Sequence, residues 1–84
     1  MNQEKIGKFI GEIRKEKNMK QKDLADLLDV TSKTISRWET GKYMPDLSLF
    51  VPISEIFGIS LNELMQGERI IGKKIKTVLK LKSN

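Results

Sequence analysis

The sequence predicts an all-α fold, a bundle of five short helices packed at steep angles to one another. Three observations predict it. Apolar residues recur at three- and four-residue spacing in five successive stretches between residues 3 and 66. Only a few residues separate one stretch from the next. No alternating strand pattern occurs before residue 70.

Ile6, Phe9, Ile10 and Ile13 place residues 3–17 in a first amphipathic helix, with Glu4, Lys8, Glu12, Lys15 and Glu16 outside. Gly7 and Gly11 each cost such a helix about 1 kcal/mol relative to alanine; what they offer in return is close approach of a neighbouring helix. Asn18 ends the element and Met19 is an apolar anchor for the next. Residues 21–28 form the second helix, with Leu24, Ala25, Leu27 and Leu28 as apolar positions. Asp23 sits in its first turn, where negative charge suits the macrodipole. Asp29 and Val30 make a tight turn, and Asp29 is expected in the left-handed region, which Asp tolerates better than most residues.

Thr31 is a good N-cap for a third helix over residues 32–40, because its side-chain oxygen can accept an orphan N–H. Gly41 suits a left-handed stop. This helix buries only Ile35 and Trp38; its other residues are Ser32, Lys33, Thr34, Ser36, Arg37, Glu39 and Thr40. So short and polar a helix gains little from packing. A face of hydroxyls, Lys and Arg, braced by the preceding helix, suits the edges of DNA bases. Glu39 is unusual there, since a carboxylate in the last turn opposes the macrodipole and calls for a compensating cation.

Leu47, Phe50, Ile53, Ile56 and Phe57 mark a fourth helix capped by Asp46. Pro52 interrupts it, so a loose or kinked first turn is expected, with regular helix over residues 51–57. Gly58 ends it. Ser60 caps a fifth helix over residues 61–66, with Leu61, Leu64 and Met65 inward, and Gly67 closes the domain.

Eighty-four residues make one domain with a modest core. The chain has no Cys and no His, so disulfides, thiolate metal sites and the commonest general base are all missing. No phosphate-binding glycine loop or catalytic carboxylate pair is visible. An enzyme is not expected, nor any cofactor, metal or small-molecule ligand. No apolar run approaches the roughly 20 residues that span a bilayer, and MNQEKIGKF lacks a signal-peptide core, so the expected compartment is the cytoplasm.

The net charge of +5 is unevenly placed. Residues 1–67 hold ten basic and ten acidic residues and are neutral. Residues 68–84 hold Arg69, Lys73, Lys74, Lys76, Lys80 and Lys82 against Glu68 alone. The organisation expected is therefore a domain over residues 1–67 and a basic C-terminal tail over 68–84. In the tail, Ile71, Ile75 and Val78 fit a helical face, whereas Ile75, Thr77, Leu79 and Leu81 alternating with lysines fit a strand. Gripping phosphates, dimerisation, contact with an anionic membrane and a frayed end all fit this composition.

The chain resembles phage repressor and Cro proteins and the bacterial XRE-type regulators. Ile6-Gly7, Arg14, Gln21, Leu24-Ala25, the run Thr34-Ile35-Ser36-Arg37-Trp38-Glu39, Gly41-Lys42, Pro45 and Phe57-Gly58-Ile59-Ser60-Leu61-Asn62-Glu63-Leu64 carry the resemblance, over residues 3–67. Asp29, Thr40 and Pro52 depart from the residues usual there. The resemblance implies a lambda-repressor-like bundle with its helix-turn-helix at helices 2 and 3. It implies base contacts from Ser32, Lys33, Ser36 and Arg37. Phosphate contacts would come from Gln21, Thr31, Thr34, Lys42 and Tyr43, although Tyr43 could instead pack on Trp38. An ion pair between Arg14 and Glu39 would orient the third helix. The function implied is a sequence-specific transcriptional regulator, a repressor, bound as a homodimer to a palindromic double-stranded operator. Two rivals are an antitoxin-like or accessory protein-interaction module and the DNA-binding fragment of a longer regulator.

Overall fold

A computed structural model describes residues 1–70 and contains five helices there: α1 (Gln3–Glu16), α2 (Gln21–Leu28), α3 (Ser32–Glu39), α4 (Leu47–Phe57) and α5 (Leu61–Gln66). The helix and strand readings of the tail fall on residues 71–84, outside the described residues. Among the described residues there is no strand, and no helix is long and apolar enough to cross a membrane.

Helix boundaries follow local chemistry. Asn2, Thr31, Asp46 and Ser60 each accept a backbone N–H with the side chain at a helix start. Lys20 N–H donates to the Asp23 carboxylate at 2.8 Å in the first turn of α2. Asn18 and Asp29 adopt φ of +57°, and Gly41, Gly58 and Gly67 also turn left-handed after their helices.

The core centres on α1. Ile6, Ile10 and Ile13 are sealed from solvent together with Leu24, Ile35, Ile53 and Leu64, one or more from every helix. Each such side chain contributes about 1.5–3 kcal/mol by leaving water. α3 packs against both α1 and α2, α5 against α1, and α4 against α5 and α2.

Four expectations need correction. α4 is regular from Leu47, four residues earlier than Pro52 suggested. The bond Pro52 removes is the one to the Ser48 carbonyl. Ser48 is an exposed residue. Its N–H is held at 3.1 Å by the Asp46 carboxylate, which defines the first turn. Leu27 is 61% exposed, because it lies about 100° round the helix from the centre of the face made by Leu24, Ala25 and Leu28. Leu47 is exposed, one turn upstream of the first buried residue of α4, Phe50. Leu61, the first residue of α5, is exposed as well. Apart from these corrections, the described residues after Gly67 contact α1 and α5. Lys5 pairs with Glu68 at 3.4 Å, Arg69 pairs with Glu16, and Ile70 N–H donates to Glu63 at 3.3 Å.

Candidate nucleic-acid interface

The turn between α2 and α3 is short because Asp29 reverses the chain in one residue, at φ +57° and ψ +44°. Val30 N–H then donates to the Ala25 carbonyl at 3.0 Å. Thr31 Oγ1 accepts from Thr34 N–H at 3.1 Å, and the two threonine hydroxyls are bonded at 2.9 Å. Both hydroxyls thus lie at the N-terminal end of α3.

Ile35 and Trp38 fix the rotation of α3 by facing the core. Ser32, Lys33 and Arg37 are left exposed and Ser36 half-buried, and helical periodicity puts all four on the side away from Ile35 and Trp38. Among the described residues, Lys33, Arg37 and Lys42 have no carboxylate within ion-pair distance. The face is therefore positively charged and open.

Glu39 is turned away from it. Arg14 Nε and Nη2 donate to the two Glu39 carboxylate oxygens at 2.7 and 3.0 Å, and Arg14 Nη1 donates to the Met19 carbonyl at 2.7 Å. The hydrogen bonds and charge of Glu39 hold the Arg14 guanidinium above its ordinary pKa, against the opposing effect of burial. Gln21 Nε2 adds a third donor to the same carboxylate at 3.1 Å. The arrangement joins α1, the start of α2 and the end of α3, and it neutralises a charge that would otherwise oppose the helix dipole.

Past α3 the chain folds back. Gly41 takes φ +78°, and the N–H groups of Lys42 and Tyr43 both donate to the Arg37 carbonyl, at 3.0 and 3.3 Å. Gln3 Nε2 donates to the Gly41 carbonyl at 2.7 Å, which fastens this loop to α1. Tyr43 is 57% exposed, and the Arg37 guanidinium lies over its ring, 5.6 Å from the centre.

The structure thus brings Ser32, Lys33, Ser36 and Arg37 onto one face, with Thr31 and Thr34 at one end and Lys42 and Tyr43 past the other. Gln21 lies at the start of α2 with its amide committed in part to Glu39. Sequence reasoning missed the Gln3 contact, the Met19 carbonyl and the bond from Gln21 to Glu39. The Gln3 and Gln21 contacts join groups distant in the chain, and the Met19 carbonyl is a backbone acceptor, so neither spacing nor composition signals such a partner.

Residues 10–64 match the helix-turn-helix family. The chain is 38% identical over 60 residues to the HTH-type transcriptional activator BcrR of Enterococcus faecalis, covering 71% of this chain and 29% of BcrR. It is 33% identical over 64 residues to the ImmF control region 10 kDa protein of Bacillus phage phi105, covering 76% of this chain and 71% of that protein. It is 32% identical over 69 residues to multiprotein-bridging factor 1 of Debaryomyces hansenii, covering 82% of this chain and 46% of that protein. The chain therefore spans less than half the length of BcrR and of the bridging factor. The clp gene regulator ClgR from Corynebacterium glutamicum shares the fold, with a TM-score of 0.72 at 17% identity over 98% of this chain and 85% of the ClgR chain. Fold, turn geometry and these likenesses agree: the chain belongs to the XRE-type helix-turn-helix family of DNA-binding transcriptional regulators.

Proposed function

We propose that this protein reads an operator sequence by laying α3 in the major groove of double-stranded DNA. One observation carries the reading. Lys33 and Arg37 stand exposed on α3 with no carboxylate in ion-pair range among the described residues, while the helix's own carboxylate is withdrawn into the pair with Arg14. Arg37 donates in bidentate fashion to guanine O6 and N7, a contact worth about 1–3 kcal/mol of discrimination. Lys33 reads guanine or holds the adjacent phosphate, and the Ser32 and Ser36 hydroxyls bond to base edges. Thr31, Thr34 and Lys42 contact the backbone. Gln21 does so through the amide hydrogen that it does not give to Glu39, beside the free N–H groups at the start of α2.

Residues 1–67 form the reading domain, and the basic residues beyond add non-specific attraction to phosphates. Eight residues of α3 offer too small a contact for operator-level affinity, so two copies bind a palindromic site with half-sites about 34 Å apart. The protein represses by occlusion, in the cytoplasm, with no chemistry and no cofactor; BcrR is named an activator, and a promoter reporter decides the sign. The deciding experiment is selection of bound duplexes from a random library, followed by fluorescence titration. Arg37→Ala should lose about tenfold or more in preference for the selected duplex. If Arg37→Ala and Lys33→Ala both keep affinity and preference, α3 does not read the groove.

A second reading is a protein-interaction role. Leu47 and Val51 stand exposed one turn apart on α4, and the bridging factor's name says that it joins proteins. A stoichiometric protein partner that survives nuclease treatment would favour it.

A further inference from the structure

We infer that Tyr43 is a positioning residue for Arg37: its ring is a shelf that holds the guanidinium toward the groove. This differs from the phosphate contact expected for Tyr43, and it rests on the reading of Arg37 as a base-contacting residue.

Three observations meet at this point. The guanidinium lies over the ring, 5.6 Å from its centre, within the range in which a cation is attracted to an aromatic face. Tyr43 is an exposed residue, so core packing does not account for its place. The backbone ties the two residues together, because Lys42 and Tyr43 N–H both donate to the carbonyl of Arg37 itself. Any shift of Arg37 along α3 carries the loop with it.

The shelf is also braced from behind. Gly41 makes the reversal at φ +78°, and a Cβ there would lie 2.9 Å from Glu4 Cγ, so the loop is pressed against the first turn of α1. Gln3 completes the brace through the Gly41 carbonyl. A long, flexible arginine otherwise samples many rotamers and must be ordered when it meets a base. Stacking on a fixed ring orders the planar fork beforehand and leaves its edge N–H groups free for O6 and N7 of guanine.

The test separates a shelf from a phosphate donor. In the free protein, the Arg37 δ-methylene protons should be shifted upfield by the ring, retain that shift in Tyr43→Phe and lose it in Tyr43→Leu. In titrations, Tyr43→Phe should bind like the parent chain. Tyr43→Leu should lose about 2- to 5-fold in preference for the selected duplex, with unchanged affinity for random duplex. In an Arg37→Ala background, Tyr43→Leu should have no further effect. The proposal is overturned if Tyr43→Phe weakens both duplexes and flattens the salt dependence, since the hydroxyl would then grip a phosphate. It is equally overturned if the Tyr43→Leu loss persists without Arg37, or if no upfield shift exists. Unchanged preference in Arg37→Ala would remove the base contact and with it the purpose of the shelf, whereas the ring-current shift reports on the stack independently.

Discussion

Arg14 and Glu39 connect the first helix to the end of the third through two parallel hydrogen bonds of 2.7 and 3.0 Å, with side chains only 9% and 11% exposed. Such a pair gains little net stability over well-packed apolar groups, because both charges leave water. Removing one partner is another matter, since the survivor stays buried without compensation. Arg14→Met or Glu39→Met should each cost about 3 kcal/mol in urea denaturation, and the double variant should recover most of that. Additive losses would show that the two residues act separately. The hydrogen bonds and charge of Glu39 leave the Arg14 pKa raised despite burial, so its contribution is complete below the ordinary guanidinium range and is lost only above the raised value, beyond any working pH.

Gly7 sits where α1 meets the end of α3. A Cβ there would lie 1.7 Å from the Trp38 carbonyl oxygen, a backbone atom that cannot yield without moving α3. Gly7→Ala should destabilise the fold by about 3 kcal/mol, although alanine is the better helix former by about 1 kcal/mol. A Cβ at Gly11 would lie 3.2 Å from the Glu39 carboxyl group, a side chain that can give slightly. Gly11→Ala should cost no more than about 1 kcal/mol. Equal melting points for the two variants would refute the assigned helix contact.

Lys42 follows the α3 stop and is exposed, with no carboxylate within ion-pair distance among the described residues. If it holds a phosphate, Lys42→Ala should weaken selected and random duplexes alike and reduce the log–log salt slope by about 1. Sequence preference should stay as it was. A loss confined to the selected duplex would instead put Lys42 on a base.

The Asp46 carboxylate accepts from the Ser48 hydroxyl and from Ser48 N–H, and in that order these bonds lower its pKa from the ordinary 3.8. A lowered folded value means that its capping contribution is present in full above the ordinary value and fades as pH falls through the lowered one. Carboxyl chemical-shift titration should place the midpoint of Asp46 below 3.8, and Asp46→Asn should lose that share of the acid sensitivity. A midpoint at or above the ordinary value would contradict the cap.

Helix starts, stops and the all-α class were legible in the chain because they depend on residues within a turn or two of each other. Thr31 can cap α3, Gly41 can end it and Asp29 can reverse the chain before it, wherever the rest of the protein lies. The polar face of α3 was legible for the same reason: two apolar residues in eight leave the others outside. Tertiary packing alone decided that Leu27 faces water, that Gln21 turns to Glu39 and that the Tyr43 ring lies beneath Arg37. These outcomes join groups on different elements, or depend on which side of a helix meets its neighbours. Periodicity tells how residues share a face; the distances and rotations between helices, set by packing around Ile6, Ile10 and Ile35, tell what that face meets.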